Sequence, residues 1–173
     1  MSALAIRKAT LAFSGSSRLT DDLTCVVIKI EEPQHALARA ELEIGSDLKE
    51  LRRAREFVRL FCRDLAEPLD EDSVARLELA VNEAASNIMK HAYQGRTDQL
   101  IYIDAVAFPT QVSVRLHHLG DPFDPSTISP PVLDGSQESG FGIYLITQSV
   151  DEVRYYRDER GRNCVALVKV HTS

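Results

Sequence analysis

The sequence is short of three things, each of which would have fixed its class. Cysteine is scarce: Cys25, Cys62 and Cys164 lie far apart inside apolar patterns. They have no metal-ligand spacing, and an odd count excludes a closed disulfide framework. Buried free thiols in a reducing cytoplasm are the expectation. Excess positive charge is missing as well. Twenty Lys and Arg face 26 Asp and Glu, for a formal net charge of -6, so the overall electrostatics make no case for nucleic acid or an anionic membrane. A basic protein partner is easier to accommodate. Long hydrophobic runs are the third absence: none approaches the length that spans a bilayer, and no signal-peptide pattern opens the chain. The G-x-x-x-x-G-K-[ST] phosphate loop and internal repeats are also lacking.

What remains is a globular composition, 44% hydrophobic and 27% charged over 173 residues. That suits one domain with a real core and a small appendage. The appendage is read at residues 1–31. Residues 3–13 suit a short helix, Ser14 to Ser17 break it, and the β-branched run at 23–30 predicts a strand buried on both faces. Glu31-Glu32-Pro33 marks a boundary.

The main domain follows from residue 34. Alternation over 36–44 predicts a strand with one wet face, carrying Ala38, Ala40, Leu42 and Ile44 inward. Asp47 and Glu50 make a capping-box-like pair before a helix to about residue 65, with Leu51, Val58, Phe61 and Leu65 on its apolar stripe and Arg52, Arg53 and Arg55 near the other face. A central helix runs from the Asp70–Ser73 start to about Ala92, and Gly95 suits a left-handed cap. Residues 100–108 and 111–117 predict an antiparallel hairpin about Pro109-Thr110. Residues 150–157 and 163–170 predict two closing strands about Arg160-Gly161-Arg162.

The central helix holds the chemistry. Val74, Leu77, Val81, Ala84 and Ile88 form its apolar stripe, and Glu83, Asn87 and His91 step by four along a polar one. A carboxylate, a carboxamide and an imidazole on consecutive turns can hold a water, a divalent cation and a phosphate oxygen. Magnesium takes oxygen ligands and keeps several waters, so one Asn carbonyl with nucleotide phosphates could hold it. The Glu could then take a proton from a hydroxyl nucleophile. A solvated helix face explains the same row equally well on its own. Downstream, the irregular segment 118–139 is of the length used for functional lids. It runs into Gly140-x-Gly142 at a helix start, where free N–H groups and the helix dipole favour phosphate.

Taken in order, these pieces resemble the GHKL ATPase superfamily, and within it the anti-sigma-factor serine kinases, over residues 34–171. Residues 83–93 are similar to that family's N-box, Gly120-Asp121-Pro122-Phe123-Asp124-Pro125 to its first glycine box, and residues 139–146 to its second. The resemblance implies an α/β chain of the α+β two-layer sandwich type, with a mixed, largely antiparallel sheet and helices on one face. It implies Glu83 as general base and Asn87 as magnesium ligand. Lys90, His91, Gly120, Phe123, Gly140, Phe141 and Gly142 are implied near the nucleotide. Where the family has an Asp that accepts from the adenine amino group, this sequence has His118. A neutral imidazole offers one donor and one acceptor, which predicts weak or pH-sensitive ATP binding. The opening residues resemble the C-terminal end of a metal-dependent serine/threonine phosphatase of the bacterial stress-response type, with Asp21 and Asp22 at its paired-Asp motif.

The function so implied is a serine/threonine kinase using MgATP on an anti-sigma-factor antagonist, with a sigma factor as a second candidate partner and a homodimer as its form. A second reading is a nucleotide- or partner-binding regulatory module of a phosphatase–kinase fusion that has lost catalysis. A histidine-kinase catalytic domain fits less well, because no dimerisation helix with a phosphoacceptor His is present.

Overall fold

Among the described residues, five strands form where apolar side chains alternate: β1 (Ala38–Gly45), β2 (Leu100–Phe108), β3 (Gln111–His118), β4 (Glu152–Arg157) and β5 (Asn163–Val170). The computed structural model describes residues 35–122 and 141–171. The expected helix and strand within 3–30, with Asp21, Asp22 and Cys25, lie outside the described residues, as do Phe123, Asp124 and Gly140. The strands join in the order β1-β2-β3-β5-β4. A mixed, largely antiparallel sheet was expected, and all four pairings among the described residues are antiparallel. The connections explain this. Two helices between β1 and β2 return the chain to the end it left, so β2 must run back. β3 and β4 run the same way, but β5 inserts between them and pairs antiparallel with both.

The helices are α1 (Leu51–Arg63), α2 (Glu71–Asn87) and α3 (Phe141–Ser149). Asp47 caps the turn that leads into the first, accepting from the Lys49 N–H at 2.9 Å. That turn, Leu48–Glu50, is a 3₁₀ turn, and Glu50 pairs with Arg53 instead of closing a capping box. Asp70 caps α2 by accepting from the Ser73 N–H at 2.9 Å, and Glu71 and Asp72 in the first turn suit the helix dipole. The helices' apolar stripes meet one sheet face. Val58, Leu77, Val81, Ala84 and Ile88 pack with Ile44, Ile101, Ile103, Val114, Leu116 and Leu167 in a single core, which makes a two-layer α+β fold. Cys62 and Cys164 are free and buried, and burial, with Glu78 nearby, pushes the Cys62 thiol up to about 12. No helix among the described residues is long and apolar enough to cross a membrane.

The central helix departs from its sequence reading in one respect. Its last turn, Ile88–Ala92, is π-helical, with the Tyr93 N–H reaching back five residues to the Ile88 carbonyl at 2.8 Å. A wider turn breaks the step-of-four row after Asn87, and Lys90 and His91 are exposed. The chain then leaves through Gln94 and Gly95, both in the left-handed region (φ 53° and 75°).

The Ala92 carbonyl accepts the Asp121 N–H at 2.9 Å, which docks the turn after β3 onto the helix end. Gly120 sits at that junction. A β-carbon there would lie 2.5 Å from the Ala92 oxygen and 2.8 Å from the Tyr93 ring. Backbone cannot give way as a side chain can. Gly120→Ala is therefore expected to destabilise the fold by about 1–3 kcal/mol, read as a lowered urea midpoint. An unchanged midpoint would mean the junction is looser than described.

Candidate functional site

The site begins with two half-buried side chains one turn apart on α2. Glu83 and Asn87 face the first turn of α3. A β-carbon built at Gly142 would lie 3.1 Å from Glu83 Oε2, 3.4 Å from Asn87 Oδ1 and 3.5 Å from Asn87 Nδ2. A side chain there would crowd the carboxylate, so the glycine keeps that space open. Glu83 Oε1 accepts from Asn82 Nδ2 at 3.1 Å, so the carboxylate is held by one oxygen while the other faces α3. Phe141, the first residue of α3, is half-buried beside it.

The second wall is the end of β3. Strand alternation sends His117 to the outer sheet face and His118 to the helix-covered face. His118 is 2% exposed, with the Tyr93 ring edge-on at 5.9 Å. Among the described residues its Nδ1 has no hydrogen-bond partner. It lines a narrow cavity of about 20 Å³ with Asn87, Ile88, Ile146, Tyr155 and Val165. It also lines a larger one of about 310 Å³ with Pro122, Tyr156, Arg157 and Asn163. Burial, helped by the neighbouring His117, pushes His118 down to about 4. The ring is thus neutral near pH 7, and the pH sensitivity expected of this residue falls in the acid range.

The turn that carries Gly120 is fixed by residues the sequence reading did not single out. Asn163 Nδ2 donates to the Gly120 carbonyl at 2.8 Å. The Tyr93 hydroxyl accepts from the Leu119 N–H at 3.1 Å and donates to the Leu100 carbonyl at 2.6 Å. Gln94 donates to Asp121 at 2.8 Å. The signal for Asn163 was available: it opens β5 opposite His118, in the same inward parity as Val165.

These elements bring Glu83, Asn87, Gly142 and Phe141 to one end of α3, and His118 and Gly120 to the adjoining end of β3. Lys90 and His91 stand apart on the exposed π turn. Phe123 and Gly140 lie outside the described residues. No group of three or more His, Cys, Asp or Glu that could cage a metal occurs among the described residues. One carboxamide oxygen near one carboxylate still suits magnesium, which is commonly held by few protein oxygens together with substrate phosphates.

On the outer face, His117 is gripped from both sides. Its Nε2 lies 2.8 Å from Asp104 Oδ1 and its Nδ1 3.0 Å from Asp158 Oδ2. Arg115 also binds Asp104, and Arg162 binds Asp158 at 2.9 Å. Only an imidazolium has two N–H donors for two carboxylates. The Asp104 hydrogen bond first, and the neighbouring Cys164 second, raise His117 to about 9. Backbone and side-chain donors from Arg162 and Arg160 hold Asp158 at about 2 despite the cost of burial.

Residues 44–169 match the model of the histidine kinase-like ATPase domain. Among curated proteins, the chain is 31% identical over 96 residues to the serine-protein kinase RsbW of Listeria monocytogenes serotype 4a (strain HCC23), covering 51% of this chain and 61% of that one. It is 28% identical to the RsbW of Staphylococcus aureus (strain bovine RF122 / ET3-1), covering 50% and 60%. It is 27% identical to that of Bacillus cereus (strain AH187), covering 51% and 59%. The matched region thus spans about three-fifths of the length of these relatives.

Proposed function

The chain belongs to the histidine kinase-like ATPase domain family, and within it we propose a serine/threonine protein kinase of the anti-sigma-factor type. One observation carries the reading: Glu83 and Asn87 converge on Gly142, whose missing side chain keeps the space between them and the first turn of α3 open. The relatives' name, serine-protein kinase, supports the class of reaction.

MgATP is the donor in this proposal, and a serine of an anti-sigma-factor antagonist is the acceptor. The serine oxygen bonds to the γ-phosphorus as the bond from that phosphorus to the β-phosphate oxygen breaks, and ADP leaves. Glu83 Oε2 takes the serine proton. Asn87 offers its carboxamide oxygen to magnesium, which when bound neutralises phosphate charge. The N–H groups of Phe141 and Gly142 at the start of α3 face phosphate in this arrangement. His118 and Gly120 border the base, while Lys90, His91, Phe123 and Gly140 join on the strength of the motif match alone. A sigma factor as further partner, a homodimer, a cytoplasmic setting and a phosphatase-like origin for residues 1–31 belong to the same proposal.

The second reading, a binding module without catalysis, is favoured by His118, which replaces an acceptor-only group with one that is weaker toward an amine. Incubating the full chain with γ-labelled ATP, magnesium and a candidate antagonist separates the two. Label on an antagonist serine supports the kinase. Nucleotide binding with no transfer to any antagonist supports the module.

A further inference from the structure

We infer that His118 makes base selection tolerant, so that the site takes 6-oxopurine nucleotides as well as 6-aminopurine ones. This rests on the nucleotide reading above and extends it to the base.

The starting point is an unsatisfied atom. A polar nitrogen on a side chain only 2% exposed, with no partner among the described residues, is rare in folded proteins and costs free energy unless something bonds it. The narrow cavity beside it has room for about one water. The larger cavity, which shares His118, Tyr155 and Val165 with it, reaches the lower size range of small-ligand pockets. The position of Nδ1 therefore suits the edge of a planar ligand.

What Nδ1 can read follows from its chemistry. In one neutral tautomer it accepts a hydrogen bond, and in the other it donates one. A 6-amino group needs an acceptor and a 6-carbonyl needs a donor. A carboxylate would serve the first and repel the second. No carboxylate lines either cavity among the described residues; the polar side chains there are Asn87, Tyr155, Tyr156, Arg157 and Asn163 beside His118. Arg157 and Asn163 bring donors, which a carbonyl tolerates better than an amine does. The burial that keeps the ring neutral also preserves both tautomers, since protonation would leave only donors.

The test compares ATP and ITP, which differ at the 6-position, binding to the full chain with magnesium by calorimetric titration. Dissociation constants within about tenfold of each other are expected, against the far larger rejection shown by sites built for one hydrogen-bond pattern. His118→Asp should open an ATP preference of at least about thirtyfold, and His118→Asn, whose amide both donates and accepts, should keep the tolerance. If the Asp variant fails to fold, the wild-type ratio decides alone. ATP binding with ITP about a hundredfold weaker or worse overturns the inference and leaves the nucleotide site standing. Failure of both nucleotides to bind at millimolar concentration overturns the nucleotide reading and the inference with it.

Discussion

Replacing Glu83 with Gln is expected to slow phosphoryl transfer by about 10²–10⁴-fold, the usual worth of a positioned general base, while nucleotide affinity and melting temperature stay close to wild type. The amide has the same shape, and the Asn82 contact at Oε1 can persist. The side chain is half-buried, so no large apolar volume is lost. What disappears is the ability to take a proton at the oxygen that faces Gly142. An effect on rate without an effect on binding is the mark of an interaction made in the transition state only. Single-turnover transfer of γ-label, together with calorimetric nucleotide binding on the same preparations, reads both halves. A loss below about tenfold in rate would remove Glu83 from the chemistry.

Stability should peak near pH 6.5 and fall on both sides. The two adjacent histidines push in opposite directions. His117 titrates at about 9 in the folded chain, above the ordinary histidine value of 6.5. Its contribution is complete below that ordinary value and is lost as pH rises toward 9, because there the native state binds more protons than the unfolded one. His118 titrates at about 4. Between pH 6.5 and 4 the unfolded state binds the extra proton, so stability falls as pH falls. Each limb is worth on the order of 2–3 kcal/mol. Below about pH 4 the depressed carboxyls of Asp104 and Asp158 add to the acid loss. Urea unfolding between pH 4.5 and 9 checks the shape, and His117→Gln should flatten the alkaline limb while easing the acid limb only slightly, since burial is the larger cause of the His118 shift. Stability that climbs steadily to pH 9 would contradict the grip on His117.

The strands were largely legible because their cues are local. β5 falls at 163–170 as alternation predicted, and β2 at 100–108. The terminal strand residues shift slightly where burial fades: β1 is Ala38–Gly45 against an expected 36–44. Two features could not be read. Strand order depends on which edges bury the most surface together, and nothing in the Asn163–Val170 segment announces that it inserts between β3 and β4. The π turn has no composition signal either. Ile88 to Ala92 continues a helical pattern, and the turn widens so that the Ala92 carbonyl can meet the turn after β3. That is why the step-of-four row holds through Glu83 and Asn87 and breaks before His91. In the candidate site, motif spacing pointed to Glu83, Asn87, Gly120 and Gly142, which the fold brings to neighbouring ends of the central helix, α3 and β3. It did not find Tyr93 and Asn163, which act on backbone groups far away in sequence and leave no pattern of their own.

The back-to-back histidines at the end of β3 also serve as a key to its threading. A slip of one residue against β2 and β5 would swap the faces of every side chain on the strand. His117, wanted as a cation by two carboxylates, would be driven into an apolar cleft, and His118 would be left facing Asp104 and Asp158 from which it is now hidden. A misaligned hairpin therefore carries a penalty at His117, whose charge would leave both carboxylates for an apolar cleft.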